Sequence, residues 1–204
     1  MPKASPEKWW IVRQSAIHQR GVFARVDIPK ETPVIEYTGE KITKAESTRR
    51  GNALAERAAK TGGAAVYIFT LNKKHDLDGS TAQNTARLIN HSCDPNCEAF
   101  ITRGRIWIYA KRDIKEGEEL SFNYGFGMDT WEDHSCRCGT SKCIGYILDE
   151  QYWPKLKKIL AEREATKKKL DALEARAEEL KKELAELDKP TSKKASKKKM
   201  PKKR

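Results

Sequence analysis

Over the first forty residues the apolar positions come in short runs, "WWIV" (9–12) and "PVIEY" (33–37). Gly21 and the turn "IPKET" lie between them, and Pro29 and Pro33 punctuate that turn. Runs this short, β-branched or aromatic and bounded by turn formers, predict strands. The pattern changes at Thr43. Glu46 follows three residues on, a capping-box spacing, and "TKAESTRRGNALAERAAKTGG" ends in Gly62-Gly63, so an inserted helix is expected, weakened in its first half by Gly51. Further β segments are expected at "VYIFTL", "IWIYAK" and "ELSFNYG", the last preceded by the turn of "DIKEGEEL".

Beyond Pro154 the periodicity is helical throughout. Leu170, Leu173, Ala177, Leu180, Leu184 and Leu187 alternate steps of three and four, an a/d seam flanked by Glu and Lys. About two and a half heptads make a marginal coiled coil, and continuing the seam backwards meets Arg163 and Thr166. Weak homodimerisation and packing on the chain's own core are both open.

Composition sharpens the boundary near Pro154, because nearly all aromatic, Gly and Cys residues precede it. A chain of 204 residues suits one cored domain plus an appendage. The net charge of +12 is uneven: residues 189–204 carry nine Lys or Arg and no acid, leaving +3 for residues 1–188. Such a tail is expected to be disordered and to contact nucleic acid. No run of 18 apolar residues or secretory signal is visible, so an intracellular, membrane-free protein is expected, and the absence of a Gly-rich phosphate loop argues against nucleotide hydrolysis.

Five cysteines, an odd number, favour metal or thiol chemistry over a disulfide framework. "CRCGTSKC" sets Cys136, Cys138 and Cys143 at CxCx4C spacing, one ligand short of a closed tetrahedral zinc site. His134, His91, Cys93 and Cys97 are candidates for the fourth, and a four-thiolate site would take Cys93 or Cys97.

Five segments in order resemble the SET-domain protein lysine methyltransferases. They are "SAIHQRGVFA" (15–24), "VIEYTGE" (34–40), "NTARLINHSCDPN" (84–96), "EELSFNYG" (118–125) and "CRCGTSKCIGYI" (136–147), the last resembling the post-SET zinc segment. The fold this implies is mostly β with a helical insert: a SET-domain β-clip whose Asn90–His91 and Phe122–Tyr124 segments form a pseudoknot, followed by a C-terminal helix and a disordered basic tail. The expected divisions are an N-terminal extension (1–10), the SET domain (11–130), the post-SET segment (131–150), the helix (151–188) and the Lys-rich tail (189–204).

The resemblance implies methyl transfer from S-adenosylmethionine to a lysine ε-amine of a histone or histone-like protein, associated with chromatin. That means the nucleus in a eukaryote, and the nucleoid or a secreted effector in a bacterium. Tyr124 takes the catalytic-tyrosine position, Tyr37 that of a second channel tyrosine, and Phe122 a position that permits di- or trimethylation. Cofactor contacts carry over to Arg20 and Gly21, to Tyr67 and Arg87 near the methionine carboxylate, to Asn90 and His91 near its amine and the adenine, and to Trp131 over the adenine. Structural Zn2+ would be held by Cys93, Cys136, Cys138 and Cys143, leaving Cys97 a buried free thiol. The sequence departs from the family pattern at Gln19, where a glycine is common, at Arg20 and at Ile144. An inactive SET module serving as a chromatin or nucleic-acid tether is the alternative.

Overall fold

The computed structural model describes residues 8–61 and 67–187, the side chains of Ala59, Thr61 and Leu187 excepted. The tail over 189–204, and most of the extension over 1–10, lie outside the described residues. The chain forms two compact units, Met1–Trp153 and Pro154–Arg204. No helix among the described residues is long and apolar enough to cross a membrane.

The first unit is built from four small sheets. Strands β1 (Trp10–Gln14) and β2 (Arg20–Ala24) form an antiparallel pair, and β3 (Pro33–Tyr37) heads a second sheet. Strand β4 (Glu40–Thr43) leads into helix α1 (Lys44–Thr61) and shares a sheet with β5 (Ile68–Thr70) and β6 (His75–Asp78), in the order β4-β6-β5. Strands β8 (Cys97–Thr102) and β9 (Arg105–Ala110) complete the sheet of β3, in the order β3-β9-β8. Between β6 and β8 in sequence lies β7 (Asn90–His91), which pairs in parallel with β10 (Ser121–Phe122).

Alternation in β9 shows why these strands form a core: Ile106, Ile108 and Ala110 are buried, while Trp107 and Tyr109 between them are less so. They meet Ile28, Val34, Ile35, Ile114 and Leu120, each large side chain contributing about 1.5–3 kcal/mol by leaving water. Residues 114 and 117–120 run back along the chain start. Ile28 and Ile114 exchange backbone hydrogen bonds at 2.8 and 2.9 Å, and the Leu120 N–H donates to the Val22 carbonyl at 2.7 Å.

Helix α1 starts where the capping pattern places it, with the Glu46 N–H donating to Thr43 Oγ1 at 3.2 Å. The Glu46 side chain does not complete the box. It instead accepts from Arg49 and Arg50. Arg50 also reaches Glu40 and Asp78, both at 2.7 Å, and Lys44 reaches Asp76 at 2.5 Å, so the helix is pinned to the sheet through buried aspartates of β6. Burial alone would raise the Asp78 carboxyl, but Arg50 and the Ser80 N–H hold it below its ordinary value.

Helix α2 (Trp153–Leu187) carries the expected seam. Leu170, Leu173, Leu180 and Leu184 are exposed, and Glu–Lys and Glu–Arg pairs such as Glu164–Lys168 and Arg176–Glu179 decorate the helix.

Candidate functional site

Pairing β7 with β10 brings Asn90 opposite Ser121 and His91 opposite Phe122, which sets the carriers of the chemistry side by side although 31 positions separate them. Two side chains consolidate the junction. Asn96 donates to the Glu119 carbonyl at 2.8 Å and accepts from the Ser121 N–H at 2.9 Å, taking the place of a neighbouring strand. Asn84, fully buried, accepts from the Thr38 N–H and donates to the Gly79 carbonyl.

Two cavities flank the ladder. The larger, about 850 Å³, is of small-molecule size and is lined by Ile17, His18, Gln19 and Arg20 from the β1–β2 turn, and by Ala55 and Ala58 of α1. Tyr67, Arg87, Leu88, Asn90, His91 and Tyr124 form its middle, and residues 130, 133–137 and 147 close its far wall. The smaller is about 40 Å³, room for roughly three waters at ~10–15 Å³ each, and is walled by Tyr37, Tyr67, Phe69, Arg87, Ile89, Phe122, Tyr124 and Phe126. Tyr67, Arg87 and Tyr124 line both.

The polar groups here are held rigidly. Tyr124 donates its hydroxyl hydrogen to the Ile89 carbonyl at 2.9 Å, and Tyr37 donates to the Tyr67 carbonyl at 2.8 Å. Each phenol oxygen therefore retains only lone pairs to offer. Burial, reinforced by neighbouring acidic groups, raises both phenols above their ordinary value, so neither ionises near neutrality. Phe122 lies between Phe69, stacked at 6.0 Å, and Tyr124 at 5.0 Å.

His91 is buried, which pushes its pKa down to about 4 and leaves the imidazole neutral. Its Nδ1 accepts the Tyr124 N–H at 3.3 Å, so the proton sits on Nε2, which faces Cys93 Sγ at 3.6 Å. Arg87 lies over the Tyr67 ring at 5.6 Å, and its buried Nε has no hydrogen-bond partner among the described residues. A guanidinium with an unmet donor, lining the same cavity as Asn90, suits the carboxylate and ammonium of an amino acid.

The Sγ atoms of Cys93, Cys136, Cys138 and Cys143 all lie within 4.8 Å of one another, with Cys93 and Cys136 at 3.7 Å. Tetrahedral Zn–S bonds of about 2.3 Å would set sulfurs about 3.8 Å apart, so this donor set could hold such an ion. The Cys138 and Gly145 N–H groups donate to Cys136 and Cys143 Sγ, both at 3.4 Å, and Gly139 and Gly145 take φ of 70° and 83° to let the chain turn around the cluster. Cys97 stands apart in β8, fully buried, its thiol pushed by desolvation up to about 12.

The SET domain family matches residues 19–125, more than half of the chain. The chain belongs to the SET-domain family. Curated relatives match about two thirds of the chain. The chain is 38% identical over 140 residues to a protein of Chaetomium globosum and to one of Saccharomyces cerevisiae, and 37% identical over 141 residues to one of Emericella nidulans. Each is named histone-lysine N-methyltransferase, H3 lysine-4 specific. These matches cover 66% of this chain but only 11–13% of the relatives, so the chain spans a small part of their length.

Trp131 and Gly21 are both expected at the cofactor. Trp131 is buried with its ring edge-on to Tyr146 at 4.6 Å and does not line the larger cavity; His134 and Ser135 do. A Cβ on Gly21 would stand 2.3 Å from Glu119 Oε1, so the residue is small to admit that carboxylate. Gln19 takes φ of 40°, in the left-handed region, which accounts for glycine's fitness at this turn. Sequence reasoning gave His18, Ser15 and Glu119 no role, and weighed His134 only as a zinc ligand. The two histidines line the larger cavity, and the other two meet behind Asn90.

Proposed function

We propose that this chain is the catalytic segment of a protein-lysine N-methyltransferase that takes S-adenosylmethionine in the larger cavity and a histone lysine through the smaller one. The supporting observation is that a wide polar cavity and a narrow aromatic one meet at Tyr67, Arg87 and Tyr124. S-Adenosylmethionine, when bound, supplies a methyl group on a sulfonium, open to in-line displacement by an amine. Arg87 holds the carboxylate of its amino-acid end, Asn90 accepts from the ammonium, and Arg20, Tyr67 and His91 line the remainder.

Lysine enters with a handicap. With a pKa of about 10.4, the proton costs roughly 3 kcal/mol to remove at pH 8. The smaller cavity lowers this cost by desolvation, which favours the neutral amine. The lone pairs of Tyr124 and Tyr37 then take the amine's N–H groups and aim its nitrogen at the methyl. Neither tyrosine serves as a base, since both stay protonated. Phe122 offers no hydroxyl to hold water against an added methyl group, so di- and trimethylation are permitted.

The four thiolates of Cys93, Cys136, Cys138 and Cys143 would hold Zn2+ in a structural role, tying the cysteine segment to β7 and its turn. The relatives' names support a histone substrate at lysine 4 of H3, and with it nuclear chromatin as the place of action. The basic tail would add nucleic-acid contact, and the exposed α2 seam a weak homodimer. The test is labelled S-adenosylmethionine with two H3 peptides, one keeping the lysine at its fourth position and one with alanine there. Label on the first alone is expected. No transfer to any histone, basic DNA-binding protein or the chain itself would sink the assignment.

A further inference from the structure

Behind Asn90 lies a carboxylate that the chemistry above does not use. Asn90 Nδ2 donates to Glu119 Oε1 at 2.7 Å, to Ser15 Oγ at 3.1 Å and to the Arg20 carbonyl at 3.4 Å. A carboxylate and a backbone carbonyl can only accept, so this side of the amide must be its NH2 group. Flipping the amide would set oxygen against oxygen at 2.7 Å.

The carboxylate is itself anchored. Ser15 Oγ–H donates to both its oxygens, at 2.8 and 3.0 Å, while the same Oγ accepts the Ile17 N–H at 2.9 Å. Leu120, next in sequence, is tied to β2, and the Glu119 carbonyl accepts from Asn96. Gly21 provides the space in which the carboxylate lies. Several segments thus converge on one oxygen pair whose directed partners are Ser15 and Asn90.

We propose that Glu119 is a positioning residue: it locks the Asn90 amide with its carbonyl oxygen toward the larger cavity, as the acceptor for the ammonium of the cofactor's amino-acid end. This rests on the methyltransferase assignment and adds a specificity element to it. Because the lock acts on one hydrogen bond, it governs recognition of the ammonium and not of the rest of the ligand.

The experiment measures, by calorimetry on the full chain, the affinity for S-adenosylhomocysteine and for its deamino analogue 5′-S-(3-carboxypropyl)-5′-thioadenosine. Glu119→Ala is expected to weaken the first by roughly tenfold or more, the scale of a hydrogen bond to a charged group, and to leave the second nearly unchanged. Asn90→Asp sets a second carboxylate against that of Glu119 and should also lose affinity for the first. Combining it with Glu119→Gln, whose amide can donate to Asp, should restore most of that loss. The rescue stands even if Glu119→Ala does not fold. Equal losses for both ligands, or a double variant no better than Asn90→Asp alone, would overturn the lock. Failure of the unaltered protein to bind either ligand would instead overturn the cofactor assignment itself.

Discussion

If the lysine proton leaves to solvent before transfer, and no side chain takes it, the pH profile is fixed by the substrate. Between pH 7 and pH 9 the neutral fraction of a free lysine rises tenfold per unit, about a hundredfold in all. Tyr124 and Tyr37 are both raised by burial above their ordinary value, and the groups facing Tyr124 are Tyr37, Tyr67, His91 and Glu119. Neither tyrosine should therefore contribute an inflection in that window. The expected kcat/KM for a lysine peptide climbs with unit slope from pH 7 to pH 9, measured as initial rates at subsaturating peptide and constant ionic strength. Tyr124→Phe removes the oxygen lone pairs and leaves the Ile89 carbonyl without its donor, which should cost about 1–3 kcal/mol. The whole line should fall by roughly tenfold to a hundredfold with its slope intact. A plateau beginning near pH 7 to 8, or a rising limb that disappears in Tyr124→Phe, would refute the reasoning and make a side chain the base.

Gly79→Ala would place a Cβ 2.3 Å from Tyr37 Cε1 and 2.4 Å from Asn84 Nδ2; a destabilisation of about 1–3 kcal/mol is expected in thermal melts, with a larger loss of kcat than of peptide affinity. Cys143→Ser, or a strong chelator, should release one equivalent of zinc, read by a colorimetric dye, and should sharply increase proteolysis within residues 134–147. Cys97 should resist alkylation at pH 7.5 until the protein unfolds, since its thiol is buried and pushed up to about 12. Leu173→Lys, on an exposed seam position, should leave the melting temperature within about 1 °C while abolishing any concentration-dependent association in sedimentation equilibrium.

What the sequence could show follows from which forces are local. Strand β3 falls on "PVIEY", and α1 begins at its Thr43 cap, because turn formers and capping residues act over a few positions. Strand β6 has no such signal, since His-Asp-Leu-Asp lacks a β-rich pattern; Asp76 and Asp78 are buried only because Lys44 and Arg50 come from α1 to meet them. Strands β7 and β10 are two residues each, and nothing in the local spacing announces their pairing; the family resemblance alone points to it. For the site, Tyr37, Tyr67, Arg87, Phe122 and Tyr124 are all legible from motifs and gather around the two cavities. Trp131, expected over the adenine, packs edge-on to Tyr146 and does not line the larger cavity; an aromatic near a ligand and an aromatic beneath a loop read alike in sequence. Glu119 escapes notice because a glutamate in "KEGEEL" looks like part of a solvated turn, and only the approach of Gly21 and Ser15 shows otherwise.

The far wall of the larger cavity has a consequence for biosynthesis. Residues 130, 133–137 and 147 are made last among those that line it, and three of the four clustered thiols emerge after Cys93 has been waiting for roughly forty residues of synthesis or more. At roughly 5–20 residues per second, that is several seconds during which the β-clip can assemble while its ligand pocket stands open on one side. A chain released before Thr130 would carry every motif expected of the methyl-transfer channel and still lack the wall that encloses the pocket. The pocket is thus enclosed only once the stretch that carries the last three clustered cysteines has been translated, an order written into the chain itself.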